Sequence, residues 1–378
     1  MNRNADQSFQ PDYAVPPGET LKETLATIGM TQAELAERTG RPKKTMNEII
    51  MGKTAITSET ALQLERVLGV PASFWNNLER NYQEGLARLK EESYLKKQAK
   101  WLNGFPLADM VKLGWLPKED NPIKKLRALL NFFGVAGVNE WKALWENPQA
   151  AYRNSKAYQS NPAAVAAWLR RGEIEGQKVD CHPFHPGSFL SGLKKIRSLT
   201  EKGPEVFEPA MKETCAKSGV AVVFIPELPG TRLYGVTRFL KPSKGLIQLS
   251  LRGKSDDHLW FTFFHEAGHI LLHGKKEVYI EAQGDGHRET ERVSKEKEAD
   301  LFAQEMLIPK EVYKNLLKEN DFSLDTILRF AEKIGIAPGI IVGRLQHENI
   351  ISFAQGNKLK KRFRFSEGKS VQNRKAAS

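Results

Sequence analysis

His265-Glu266-Ala267-Gly268-His269 holds the residue types with the clearest chemistry in the chain. Histidines four positions apart on an α-helix project from one face, a turn from each other. Two imidazoles so placed can share one zinc ion, and the glutamate between them is in reach to act on water as a general base. A hydrolytic zinc site needs a third protein ligand and one open position. Glu296-Lys297-Glu298-Ala299-Asp300 offers it downstream. Glu296 and Asp300 share a helix face, so Glu296 can complete the ligand set while Asp300 holds a ligand histidine in one tautomer. Glu298 falls on the other side and reads as solvated. The expected site is therefore Zn2+ on His265, His269 and Glu296, with Glu266 as catalytic base and Asp300 behind the ligands. Two neutral imidazoles and one carboxylate leave the metal a net charge near +1, which suits activation of water and a peptide carbonyl. No oxyanion-stabilising residue is evident. His273, a turn further on, is expected to cap the helix end, and His258 to be structural or to support the ligands.

These residues need elements to carry them. Val220-Ala221-Val222-Val223-Phe224-Ile225 is a β-branched run ended by Pro226, and Leu233–Phe239 and Gly245–Leu251 alternate with turn residues between them. Three strands of a small sheet are predicted. A helix follows from about Asp256 to His273. Leu259, Trp260, Phe261, Phe263, Phe264, Ile270, Leu271 and Leu272 make it apolar around most of its surface, the mark of a buried central helix. Its polar groups then need partners. Helices are predicted from Lys295 to about Ile351, with Leu301 and Phe302 packing inward beside the acidic face.

A second constellation lies near the start. Thr31 is a good N-cap, with Glu34 three residues on as in a capping box. Ala36 is small where another helix must approach. Gly40 can take the left-handed turn that ends the first helix, and Pro42 suits the first turn of the next. Met46 and Ile49 face inward. Lys43, Lys44, Thr45 and Asn47 face outward, and with Gln32 and Arg41 they are the expected DNA contacts. The lysines would meet phosphate or guanine, and Asn47 could read adenine.

The chain has 378 residues, too many for one ordinary core, and a net charge of +12 that fits nucleic-acid binding. Its 40% hydrophobic and 27% charged content is that of a globular protein. No run of apolar residues is long enough to span a membrane. The polar N-terminus lacks a signal-peptide core, so a cytoplasmic location is expected. Cys181 and Cys215 form no CxxC pair and read as packing residues. Five tryptophans (Trp101, Trp115, Trp141, Trp145 and Trp168) read as core. Lys358-Leu359-Lys360-Lys361-Arg362-Phe363-Arg364 reads as a solvated basic end.

Residues from about Pro16 to Tyr82, with Gly52-Lys53-Thr54-Ala55-Ile56-Thr57 and Leu68-Gly69-Val70-Pro71-Ala72-Ser73-Phe74-Trp75, resemble the Cro/CI-type helix-turn-helix, in the antitoxin branch related to HigA. That resemblance implies a homodimer on operator DNA and, in many members, a toxin partner. The segment from about Gly219 to Pro309 resembles the ImmA/IrrE zinc metallopeptidase family, and its Glu-x-x-x-Asp spacing is similar to that of thermolysin-like enzymes. Members of the family cut repressor proteins. The expected fold is α-rich α+β. Its expected parts are a disordered tail over 1–15, an all-α helix-turn-helix bundle over 16–84 and a helical middle region over 85–200. A zincin-like domain with a small sheet and the HExxH helix covers 201–355, and a disordered basic tail 356–378. The expected function is a DNA-binding, antitoxin-like regulator whose zinc domain hydrolyses a peptide bond in a partner or repressor. The alternative is a non-catalytic antitoxin or repressor, with the zinc domain used for docking or sensing.

Overall fold

The computed structural model describes residues 13–146, 161–273, 286–366 and 371–373, excepting the side chains of 146, 286–292 and 373. The expected disorder before residue 13 lies outside the described residues. The chain divides into two compact units: residues 1–100 with 121–127, and residues 101–120 with 128–378.

The first unit is a helical bundle. It comprises α1 (Pro17–Ile28), α2 (Gln32–Thr39), α3 (Lys43–Ile50), α4 (Ser58–Leu68) and α5 (Ala72–Gln98). Local chemistry sets its boundaries. The Thr31 hydroxyl accepts from the Glu34 N–H at 3.2 Å and starts α2, and Gly40 ends it with φ +68°. The capping box closes on one side only, because the Glu34 carboxylate turns to Arg38 at 2.6 Å. Leu21, Leu35, Met46, Ile49, Leu64 and Trp75 fill the core. Each such side chain contributes roughly 1.5–3 kcal/mol on burial.

The second unit contains an α/β core. The helices α6 (Leu107–Lys112), α7 (Pro122–Phe133, which enters this unit at residue 128) and α8 (Val138–Trp141) lead to α9 (Pro162–Lys178), α10 (Pro186–Arg197) and α11 (Pro204–Ala216). Strands β1 (Val220–Phe224), β2 (Gly235–Lys241) and β3 (Lys244–Leu249) form a sheet in the order β1-β3-β2. β1 runs parallel to β3, and β2 pairs with β3 antiparallel across a tight turn at Pro242-Ser243. Then come α12 (Asp256–Leu272), α13 (Gly286–Leu307), α14 (Lys310–Glu319), α15 (Leu324–Ile334), α16 (Pro338–His347) and the short strands β4 (Phe363–Phe365) and β5 (Val371–Asn373).

All five residues of β1 are buried, so both faces of the sheet are covered. Period-2 alternation decides what covers each. Leu246 and Gln248 of β3 face α9, where Gly176 and Gly172 leave room for them. Ile247 and Leu249 face the main core with Trp260, Phe263 and Phe264 of α12. The Trp168 indole N–H donates to the Ile225 carbonyl at 3.1 Å, and Gln248 Nε2 donates to the Trp168 carbonyl at 2.7 Å. The expected separate region over 85–200 is therefore corrected: α9 is the helical layer that the sheet requires. The disordered tail expected over 356–378 is corrected for residues 356–366 and 371–373, and the rest of it lies outside the described residues. Phe363 is 1% exposed and packs against Phe207, and the Val371 N–H donates to Glu208 at 2.7 Å.

Candidate metal centre

α12 begins after Ser255 and ends at His273, so the whole HExxH lies inside it. Phe263, Phe264, Ala267 and Ile270 bury it on several sides, and His265, Glu266 and His269 are buried with them. Gly268 faces α13, where a Cβ would meet the Cα of Ala299 at 3.3 Å and Cδ1 of Phe302 at 3.1 Å. Gly268 on one helix, with the buried Ala299 and Ala303 on the other, lets the two backbones approach closely. That approach carries Glu296 and Asp300 to the histidines.

The ligand atoms converge. His265 Nε2 and His269 Nε2 are 3.0 Å apart, and Glu296 Oε2 lies 3.2 Å from the first and 3.5 Å from the second. Three atoms each about 2.0–2.2 Å from one tetrahedral zinc would be separated by about 3.3 Å. The residues present fit the ion. Glu296 Oε1 is buried with no hydrogen-bond partner among the described residues, which also marks this carboxylate as one that expects a cation. On the far side of the ring, His265 Nδ1 meets Asp300 Oδ1 at 2.9 Å. With Nδ1–H donating to that carboxylate, Nε2 presents its lone pair to the centre.

Electrostatics point the same way. Burial pulls the His265 pKa down, but hydrogen bonds to Asp300 and Glu296 and the charge of Glu266 outweigh it and raise it to about 10. Burial and the neighbouring His265 instead hold His269 below its ordinary value, against a hydrogen bond to Glu296. Burial pushes Glu296 up, but hydrogen bonds from the two histidines leave it well below the usual carboxylate range. The pocket is thus a concentration of negative charge around two imidazoles, and a cation satisfies it.

Glu266 lies one residue past His265 on α12, with Gly235 at the head of β2 against it. A side chain at 235 would stand 2.9 Å from Glu266 Oε1 and 2.6 Å from Thr262 Cγ2. Three other expectations shift. His273 Nε2 meets the Lys295 carbonyl at 3.0 Å, so this side chain ties α12 to α13 next to Glu296 rather than capping its own helix. Leu301 is 63% exposed and does not pack inward, while Phe302 does. His258 stacks on Tyr234, a pairing with no signature in the spacing of the sequence.

In the first unit, α3 presents Lys43, Lys44 and Asn47 to solvent, and Thr45 and Gln32 are half-buried. Arg41 is also half-buried, and its guanidinium is engaged by Gln63 and by Glu59 on α4. It braces the turn between α2 and α3 against α4, whereas Lys43 and Lys44 are exposed, Lys44 with only a loose ion pair to Glu48 at 3.9 Å.

A small-bundle reader joined to an α/β unit with an HExxH helix facing an acidic helix defines a helix-turn-helix protein with a metallopeptidase-type domain. The chain belongs to the helix-turn-helix family over residues 21–75, and over residues 215–346 it matches the Peptidase_M78 family, described as an IrrE N-terminal-like domain. Virulence-associated protein I of Dichelobacter nodosus is 33% identical over 81 residues, 21% of this chain and 75% of that protein. An addiction module antidote protein of the HigA family from Coxiella burnetii is 31% identical, covering 22% of this chain and 94% of that one, with a TM-score of 0.21. The Pseudomonas aeruginosa antitoxin HigA, solved with the higBA promoter, is 27% identical over 22% of this chain and 92% of that one, also with a TM-score of 0.21. No helix among the described residues is long and apolar enough to cross a membrane.

Proposed function

We propose that the chain is a DNA-binding regulator whose second unit is a zinc-dependent endopeptidase acting on a partner or repressor protein. The observation that carries the reading is the meeting of His265 Nε2, His269 Nε2 and Glu296 Oε2 within 3.0–3.5 Å beside the buried Glu266. Zinc held there supplies a Lewis acid for a peptide carbonyl and lowers the pKa of water. Asp300 keeps His265 in the ligating tautomer. Glu266 takes a proton from water and passes it to the leaving amine. The small backbone at Gly235 leaves this carboxylate its place against the edge strand β2. The first unit sets where the enzyme acts. Lys43, Lys44 and Asn47 on α3 meet operator DNA, with Gln32 and Thr45 at the margin, and a homodimer matches a two-fold operator. The likeness to HigA antitoxins adds a toxin as a candidate partner.

The test is Glu266→Gln in the full chain. Proteins captured with the zinc-loaded chain are incubated with wild type and variant and analysed by mass spectrometry for new termini. The expected result is full zinc in both, with cleavage by wild type only and at least about 100-fold slower in the variant. Equal regulation and no new terminus with either protein would instead assign the second unit to docking or sensing.

A further inference from the structure

Two loops near the start of α12 hold bulky cationic residues in a backbone conformation that such residues rarely adopt. Arg232, in the loop entering β2, has φ +47°, and Lys254, in the loop entering α12, has φ +57°. The other non-glycine residues with positive φ among the described residues are Asn320 and Asn349, and asparagine tolerates it. Strain of this kind persists only where neighbours enforce it, and it clusters at working sites. The enforcing contacts are present. The Ser250 hydroxyl donates to the Leu233 carbonyl at 2.6 Å, and the Ser250 N–H donates to the Tyr234 carbonyl at 2.8 Å. The Lys254 carbonyl accepts from the Phe363 N–H at 2.8 Å.

Between the two loops lies an ordered stack. The Tyr234 ring lies against His258 at 5.8 Å and 9°, and the Arg252 guanidinium sits over Tyr234 at 5.5 Å. His258 Nδ1 is held by the Ser255 hydroxyl at 2.8 Å with Asp257 at 3.4 Å, and the side chain is still 48% exposed. Arg232, Arg252 and Lys254 have no carboxylate partner among the described residues. The stack adjoins the reacting centre through the chain itself: Tyr234 precedes Gly235, which lies against Glu266 and Thr262. His258, Thr262 and Glu266 recur at four-residue spacing along α12, so the stripe from stack to general base spans about 12 Å, the length of a few extended residues.

We propose that Arg252, Tyr234 and His258 form a subsite that receives a carboxylate of the peptide substrate. The proposal rests on the peptidase reading and names the substrate class for that site. A guanidinium held over an aromatic ring by a cation–π contact, with no carboxylate engaged among the described residues, keeps N–H groups for a planar two-oxygen acceptor. Arg232 and Lys254 add an electropositive rim that draws acidic peptides in.

The experiment uses the full zinc-loaded chain and a random peptide library with free or amidated C-termini. Cleavage products of wild type are sequenced, and binding of the same library to Glu266→Gln is measured in parallel. The expected result is enrichment of a carboxylate at one fixed position from the cleaved bond, falling about tenfold in Arg252→Ala. Selection that survives amidation assigns a side-chain carboxylate, and selection lost on amidation assigns the chain terminus. Arg252→Glu is expected to turn the preference toward lysine, a gain that misfolding cannot imitate. Absence of carboxylate selection, or selection unchanged in Arg252→Ala, overturns the subsite. Selective binding of acidic peptides to Glu266→Gln without cleavage by wild type supports the subsite while overturning the peptidase.

Discussion

Single residues in the second unit are placed by charge as much as by packing. Asp256, the first residue of α12, is fully buried, and its Oδ2 has no hydrogen-bond partner among the described residues. Burial, reinforced by the neighbouring Asp257, pushes its carboxyl up to about 7. Asp257 answers differently, because hydrogen bonds from His258 and from Lys360 at 2.6 Å overcome its own burial and hold it far below the usual range. For Asp256 the folded chain keeps a proton that the unfolded chain releases from about pH 4 upward. Stability is therefore lost as pH rises from the ordinary aspartate value of 3.8 to about 7 and is flat above. Asp256→Asn is expected to stabilise the chain by on the order of 2–4 kcal/mol at pH 8 and by nothing near pH 3.5. Thermal melting at the two pH values checks this, and an equal shift at both would contradict it. At this scale His265, His269, Glu296 and Asp300 were legible because helical periodicity turns spacing into direction. The Arg252–Tyr234–His258 stack was not legible. It depends on two left-handed loop residues, which no period announces.

At the scale of elements, helix ends and strands follow local chemistry. Thr31, Gly40 and Pro42 set α2 and the start of α3, and the β-branched run at 220–225 makes a strand. Strand order is another matter. β1 pairs parallel with β3 rather than with its sequence neighbour β2, and only the helices covering both faces settle that. β4 was hidden for a different reason: Lys360, Lys361 and Arg362 read as solvated. Lys360 is instead spent on Asp257 and Gln346, and Phe363 enters the core. The exposed face of α3 gives the prediction proper to this scale. Lys43→Ala with Lys44→Ala should weaken operator binding about equally for all sequences and reduce the slope of log affinity against log salt by roughly 2. An unchanged slope in a fluorescence titration would remove those lysines from the interface. Arg41→Ala, by contrast, touches the brace between the α2–α3 turn and α4 and belongs with stability.

The whole molecule, of net charge +12, combines an α-helical reader with a hydrolytic-type centre in a second compact unit. The division into units was legible only in outline. The stretch over residues 85–200 carries no motif, yet α9 is half of what covers the sheet, since Gly172 and Gly176 do their work only against Gln248 and Leu246. The account as a whole stands on the metal centre, and the most direct measurement is metal content. The full chain is purified from zinc-supplemented cells and zinc per chain is counted by mass spectrometry, beside His265→Ala and Glu266→Gln. The account predicts about one zinc per chain in wild type and in Glu266→Gln, and a loss of most of it in His265→Ala. A full complement of zinc in His265→Ala would contradict it.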